Sequence, residues 1–172
     1  GTGLLSLNKQ SGVTEQWLYL PALDRVRRIS SERKGGRFVG SDLYFEDLNE
    51  RLPSDDNHRI LGKQLENGIM CDVLESVPVL EGNSVYKKRI IWIDPATYIP
   101  QRVDYFEKDL ITPSKRWLLR GKKKTQGYWT LTDSRIISLD SGHETRILIN
   151  YVINDQNLTA KLVKTQYLSL ES

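Results

Sequence analysis

The stretch from Trp92 to Tyr105, Trp-Ile-Asp-Pro-Ala-Thr-Tyr-Ile-Pro-Gln-Arg-Val-Asp-Tyr, constrains the fold more than any other. It places two apolar/polar extended segments on either side of an Asp-Pro turn and closes the turn with a second proline. Pro95 fixes its own φ and lacks a donor, Asp94 can accept from the backbone that follows it, and Pro100 suits the first residue of a strand or an edge. The chain must reverse here and pair antiparallel. The same design occurs upstream, where Trp17-Leu18-Tyr19-Leu20 and Arg25-Val26-Arg27-Arg28-Ile29 flank Pro21-Ala22-Leu23-Asp24. Two such hairpins point to a curved antiparallel sheet and not to catalytic machinery.

Strand signals of this kind recur along the chain, in roughly ten runs bounded by Gly, Pro, Asn, Asp or Ser. They are Leu4 to Asn8, Glu15 to Leu20, Arg25 to Ser30, Arg59 to Leu65, Ile69 to Val77, Val85 to Asp94, Gln101 to Glu107, Ser114 to Arg120, Trp129 to Leu139 and Glu144 to Ile153. The turns between them are short, and Asn67-Gly68, Gly82-Asn83 and Ser141-Gly142 supply residues that tolerate positive φ. A mostly antiparallel meander is expected. Two segments break the rhythm. Ser41 or Asp42 can cap a short helix through Leu48, and Leu158, Leu162, Val163 and Tyr167 are spaced as on a closing helix over Asn157 to Leu168. Ser31 to Gly40, basic and glycine-containing, reads as a loop.

Successive strand residues face opposite sides of a sheet. Here both sides carry apolar bulk: Tyr86, Ile90 and Trp92 alternate with Val85, Ile91 and Ile93, and Ile147, Ile149 and Tyr151 alternate with Leu148 and Val152. A half-solvated antiparallel sheet would show a cleaner polar face. The sheet is therefore expected to be covered in part on both sides, either by helices or by a ligand. At 172 residues the chain is long enough for one domain with a real core, read as residues 1–172. The hydrophobic share of 38% fits a modest or hollow core.

Composition also excludes several classes of function. A net charge of +3 is too small and dispersed to indicate nucleic acid. No apolar run reaches the length of a membrane helix. Cys71 is the only cysteine, so no intramolecular disulfide forms; between Ile69, Met70 and Val73 it reads as buried and inert. Neither His58 nor His143 has a second ligand at metal spacing. There is no Gly-x-Ser-x-Gly elbow, phosphate loop or dinucleotide fingerprint, and Glu46-Asp47 and Asp55-Asp56 read as caps and turns. Neither an enzyme nor a cofactor is expected. The run Arg120-Gly121-Lys122-Lys123-Lys124 reads as a hairpin tip whose charge forms a solvated face, a pattern that anionic headgroups or nucleic-acid phosphates would also fit.

Four segments in order, Trp17 to Ile29, Gly40-Ser41-Asp42-Leu43-Tyr44-Phe45-Glu46-Asp47-Leu48, Cys71-Asp72-Val73-Leu74-Glu75, and Lys88-Arg89-Ile90-Ile91-Trp92-Ile93-Asp94-Pro95 to Phe106, resemble the LolA-like family of periplasmic outer-membrane lipoprotein-sorting proteins. The resemblance implies a mainly β fold: a strongly curved antiparallel sheet, or incomplete β-barrel, with short helices over its opening and an apolar cavity for acyl chains. It implies a periplasmic carrier of lipid or lipoprotein acyl chains that works with an inner-membrane transporter or outer-membrane receptor, not with nucleic acid. The other reading is an envelope lipid sensor or transporter accessory. Family members carry an export signal and further strands and a helix before the segment matching Trp17, and this chain reads as lacking them. The aromatic and aliphatic residues Trp17, Tyr19, Ile90, Trp92, Val103, Tyr105, Trp117, Ile147 and Ile149 are the expected cavity wall.

Overall fold

The computed structural model describes residues 3–8, 14–20, 25–29, 36–37, 42–48, 51–125 and 127–149. These fall into two compact units, one drawn from Gly1–Gly36 and Ile153–Ser172, the other from Arg37–Val152. The first unit contains β1 (Gly3–Asn8), β2 (Thr14–Leu20) and β3 (Arg25–Ile29), a three-stranded antiparallel meander. Leu20 pairs with Arg25 across Pro21-Ala22-Leu23-Asp24, so the upstream hairpin forms as expected.

The second unit is one seven-stranded antiparallel sheet: β4 (Asp56–Glu66), β5 (Ile69–Pro78), β6 (Lys88–Ile93), β7 (Pro100–Phe106), β8 (Lys115–Thr125), β9 (Tyr128–Ser138) and β10 (Glu144–Leu148). Each strand pairs with its neighbour in sequence, from β4 at one edge to β10 at the other, and the sheet is not closed into a barrel. Loops of two residues join β4 to β5 and β8 to β9, and one of five joins β9 to β10, each too short to do other than return the chain alongside the strand it has left; the loops of six to nine residues after β5, β6 and β7 bring it back to the adjacent position as well. Glu66 pairs with Ile69 around Asn67 and Gly68 at φ 55° and 76°, a left-handed pair that Asn-Gly adopts cheaply. In β4 the register slips between Ile60 and Gly62, making a bulge whose φ of 135° at Gly62 disfavours other residues.

The Trp92 to Tyr105 hairpin closes as its residues require. Asp94 accepts from the Ala96 amide (2.9 Å) and the Thr97 hydroxyl (2.7 Å), while its own amide donates to the Ile99 carbonyl (3.0 Å). Those bonds to the carboxylate, with Lys122 nearby, hold Asp94 below the usual carboxylate range. Pro100 opens β7 opposite Ile93.

Helix among the described residues is confined to two single 3-10 turns, Phe45–Leu48 and Pro53–Asp55. The first replaces the longer helix expected from Ser41 or Asp42. The helices expected over the opening are not seen among the described residues, and the closing helix over Asn157 to Leu168 lies outside them. Two further corrections concern length. The strand expected from Val85 begins at Lys88, and β8 runs to Thr125 instead of stopping at Arg120, so Arg120 to Lys124 lie within a strand leading to the hairpin tip.

Candidate functional site

Directly opposed residues of antiparallel strands share a face, so the register assigns every side chain in the second unit to one side of the sheet. On one side the pairs Ile60 with Leu74, Leu74 with Ile91, Ile91 with Val103, Val103 with Trp117, and Trp117 with Ile136 join into a single ladder across β4 to β9. All its members are apolar. They are unevenly covered: Ile136 and Val103 are buried, Leu74, Ile91 and Trp117 half-buried, and Ile60 is 74% exposed. The ladder therefore deepens from the β4 edge toward β9. Leu65 and Met70, paired with each other on the same face, add exposed apolar surface at that edge.

One step along the strands, the same face carries a polar ladder of His58, Ser76, Arg89, Tyr105, Lys115 and Ser138. This ladder is covered by the chain itself. Glu46 is in contact with Arg89, accepts from Ser84 Oγ (2.5 Å) and takes the Val85 amide (2.8 Å). Asp47 accepts from Lys115 Nζ (2.6 Å), from the Tyr86 hydroxyl (2.7 Å) and from the Tyr44 amide (2.8 Å). Arg51 meets Asp56 through two bonds of 2.8 Å. Tyr44, Tyr86 and Tyr105 pack as a row of rings, with the Lys115 ammonium 4.7–5.1 Å from their centroids. Burial pushes the Tyr86 and Tyr105 phenols up and the Lys115 ammonium down. Asp47 opposes the shift at Lys115 and leaves it paired.

The acidic cluster at Glu46-Asp47 is thus a buried ionic anchor, where the sequence suggested solvated caps. Through these bonds Glu46, Asp47 and Arg51 are tied to the polar ladder and its β4 end.

The opposite face is sealed differently. Cys71, Val73, Ile90, Trp92 and Phe106 form a buried cluster extended by Ile69. Charged stems roof it. The Arg102 guanidinium lies 4.1 Å from the Trp92 ring and Lys88 Nζ 4.5 Å from Phe106, and the Trp92 indole N–H donates to Gln64 (3.0 Å). Asp104 accepts from both Arg102 and Arg116 at 2.6–2.9 Å. Burial alone would raise the Asp104 pKa, but the two guanidiniums outweigh it and hold the carboxyl below its usual range.

The register separates the expected wall residues. Val103 and Trp117 stand in the apolar ladder. Tyr105 belongs to the polar ladder beside it, and Ile147 is on the same face opposite Ser134. Ile149, 39% exposed, follows β10, with its amide bonded to the Thr132 carbonyl. Ile90 and Trp92 lie on the other face, within the sealed cluster. Trp17 and Tyr19 are paired in β2 with Leu5 and Gly3, and their side chains are outside the described residues. Tyr86 departs from the expected parity with Ile90 and Trp92. It precedes β6, turns to the polar-ladder side and packs 4.6 Å from Tyr105. Ile60, Leu74, Ile91 and Ile136 were not expected at a site, because alternation gives each strand's two faces but not which faces join. Cys71 is fully buried, as expected, and burial raises its thiol pKa.

Among the described residues no group of His, Cys, Asp and Glu is arranged to hold a metal ion. No helix there is long and apolar enough to cross a membrane.

A family model for a "-like: Uncharacterized protein" family matches residues 1–170. No curated protein is a significant match. Among solved structures, a proposed outer membrane lipoprotein-sorting protein domain from Vibrio parahaemolyticus superposes with a TM-score of 0.83 at 29% identity, covering 96% of this chain and 70% of that one. A DUF1329 family protein from Desulfovibrio piger gives 0.81 at 28% identity, over 98% and 71% of the two chains. A LolA superfamily protein from Nitrosomonas europaea gives 0.60 at 16% identity, over 90% and 68%, a likeness of fold alone.

Proposed function

We propose that this chain, which belongs to the LolA-like family, is a periplasmic binding protein that holds lipid or lipoprotein acyl chains against the apolar ladder of its seven-stranded sheet. The observation that carries this reading is the ladder itself: six apolar residues in unbroken cross-strand register, half-open toward the β4 edge. An extended hydrocarbon chain fits such a strip, because each methylene removed from water contributes about 0.8 kcal/mol and needs no polar partner. Val103 and Trp117 are its inner wall, flanked by Tyr105 and Ile147. Binding of this kind requires no reaction and no cofactor, in keeping with a non-enzymatic carrier.

The 28–29% identity to two solved structures, one of them a proposed lipoprotein-sorting domain, supports a role in the cell envelope, with an inner-membrane transporter or outer-membrane receptor as the protein partner. Their coverage of both compact units supports reading residues 1–172 as one lipid-binding domain. The test is a titration of the full chain with a fluorescent fatty acid, followed by competition with phospholipid. Saturable binding at micromolar ligand, displaced by phospholipid, is expected. Its absence would remove the carrier reading.

A further inference from the structure

The second charged feature of the chain lies at one end of the sheet and is not used by the apolar ladder. In the β8–β9 hairpin, residues 119–132 contain Arg120, Lys122, Lys123 and Lys124 and no acid, more positive charge than the net +3 of the entire chain. The hairpin tip also displays Tyr128, 52% exposed, and Trp129, 41% exposed. Lys122 Nζ and Lys124 Nζ stand 5.1 and 5.6 Å from the Trp129 ring, so indole and ammonium groups form one surface. The neighbouring β6–β7 turn extends it with Tyr98, 83% exposed. The acids at this end are already engaged: Asp94 by its own turn and by Lys122 at 3.5 Å, Glu66 by Arg102 at 3.3 Å, and Asp133, opposite Gly121, by Arg146 at 2.7 Å with Arg120 adding a weaker attraction. No ion pair among the described residues engages Arg120, Lys123 or Lys124.

From this juxtaposition we infer that the β8–β9 tip, with Tyr98, docks the protein on an anionic lipid bilayer. Lysines and arginines are drawn to the negative surface of such a bilayer, and Trp and Tyr rings settle at headgroup depth with their polar edges in water. Lys123 pairs with Thr130 and points away from the face shared by Lys124 and Trp129, so charge surrounds the tip and does not line one groove. An end-on planar surface matches that distribution. A nucleic-acid strand, which needs basic and aromatic groups tracking along one face, does not.

The inference does not depend on acyl binding, and the experiment keeps the two apart. The full chain is floated with vesicles of phosphatidylcholine alone or with about one third phosphatidylglycerol, a composition that supplies the anionic surface potential. Binding is expected to the anionic vesicles only and to weaken as salt rises. Lys123→Gln with Lys124→Gln should weaken it about 25-fold, on the basis of about one basic residue's worth of surface attraction lost at each position. Lys123→Arg with Lys124→Arg should retain it, and Trp129→Ser should weaken it at unchanged salt dependence. Equal binding to neutral vesicles would overturn the inference. So would undiminished binding by the double glutamine variant, or tighter binding to a single-stranded oligonucleotide at the same salt.

Discussion

Two ladders lie side by side on one face of the seven-stranded sheet, and they are finished in opposite ways. The polar ladder of Ser76, Arg89, Tyr105 and Lys115 is closed by Glu46, Asp47 and Arg51 from a preceding segment, and its charged atoms are buried in pairs. The apolar ladder is graded in exposure instead, from Ile60 at 74% on the β4 edge to Val103 at 8% and Ile136 at 1%. The difference follows from what each could tolerate. A buried ammonium or guanidinium without a partner costs several kcal/mol, so the polar ladder folds only with its lid attached. An apolar strip left partly in water forgoes only transfer energy, which a ligand can supply later. On the reading proposed above, the first ladder holds the fold and the second is the strip offered to a ligand.

If the polar ladder is structural, the largest effect should come from its anchor. Asp47→Asn removes the countercharge of Lys115, which is only 5% exposed, and should lower stability by about 3 kcal/mol in a urea titration. Adding Lys115→Met should recover part of that loss. Acyl affinity at the neighbouring ladder should stay within twofold in any variant that remains folded; a tenfold drop would merge the two ladders into one site.

Trp92 tests the opposite face. Packed under Arg102 and bonded to Gln64, it should behave as core, and Trp92→Ala should cost about 3 kcal/mol through lost transfer energy and a residual cavity. Because the register puts it across the sheet from the apolar ladder, acyl affinity should not follow stability. A selective loss of affinity would place the ligand on that face instead.

Asp104→Asn should cost about 2 kcal/mol, less than breaking a fully buried pair, because Arg102 and Arg116 retain some solvent. Since the folded-state pKa of Asp104 is depressed, its contribution is present above the ordinary carboxylate pKa of about 4 and disappears as pH falls through the lower folded value. Wild-type stability should decline across that acid window, and the variant should decline less steeply. The smallest effect belongs to Cys71, which has no exposed surface. A bulky thiol reagent should modify it only at the rate of unfolding, and fast labelling in the folded state would contradict the sealed cluster.

Much of this architecture is legible in the residues. Asp94, Pro95 and Pro100 specify their hairpin through backbone chemistry that no distant partner alters. Asn67-Gly68 specifies its turn in the same way. All ten expected strands form at least in part, because turn chemistry and alternation are local. The ladders are not legible, since a cross-strand row depends on register between strands. One bulge at Gly62, or one early departure such as Tyr86, transfers a residue to the other side. Hence Ile90 and Trp92 read as companions of Val103 and Trp117 but stand opposite them. The anchor at Glu46-Asp47 was hidden for a related reason: its partners Arg89 and Lys115 lie 43 and 68 residues away.

Moving one charge from face to face decides whether the apolar ladder is the ligand-bearing strip. Ile91→Glu places a carboxylate in the middle of the ladder, between Leu74 and Val103; Leu118→Glu places one on the opposite face, between Arg102 and Arg135. Fatty-acid affinity of both variants is measured beside their urea midpoints. At least a tenfold loss, about 1.4 kcal/mol, is expected for Ile91→Glu and none for Leu118→Glu, with both proteins folded. Equal losses, or a loss confined to Leu118→Glu, would contradict that role for the ladder.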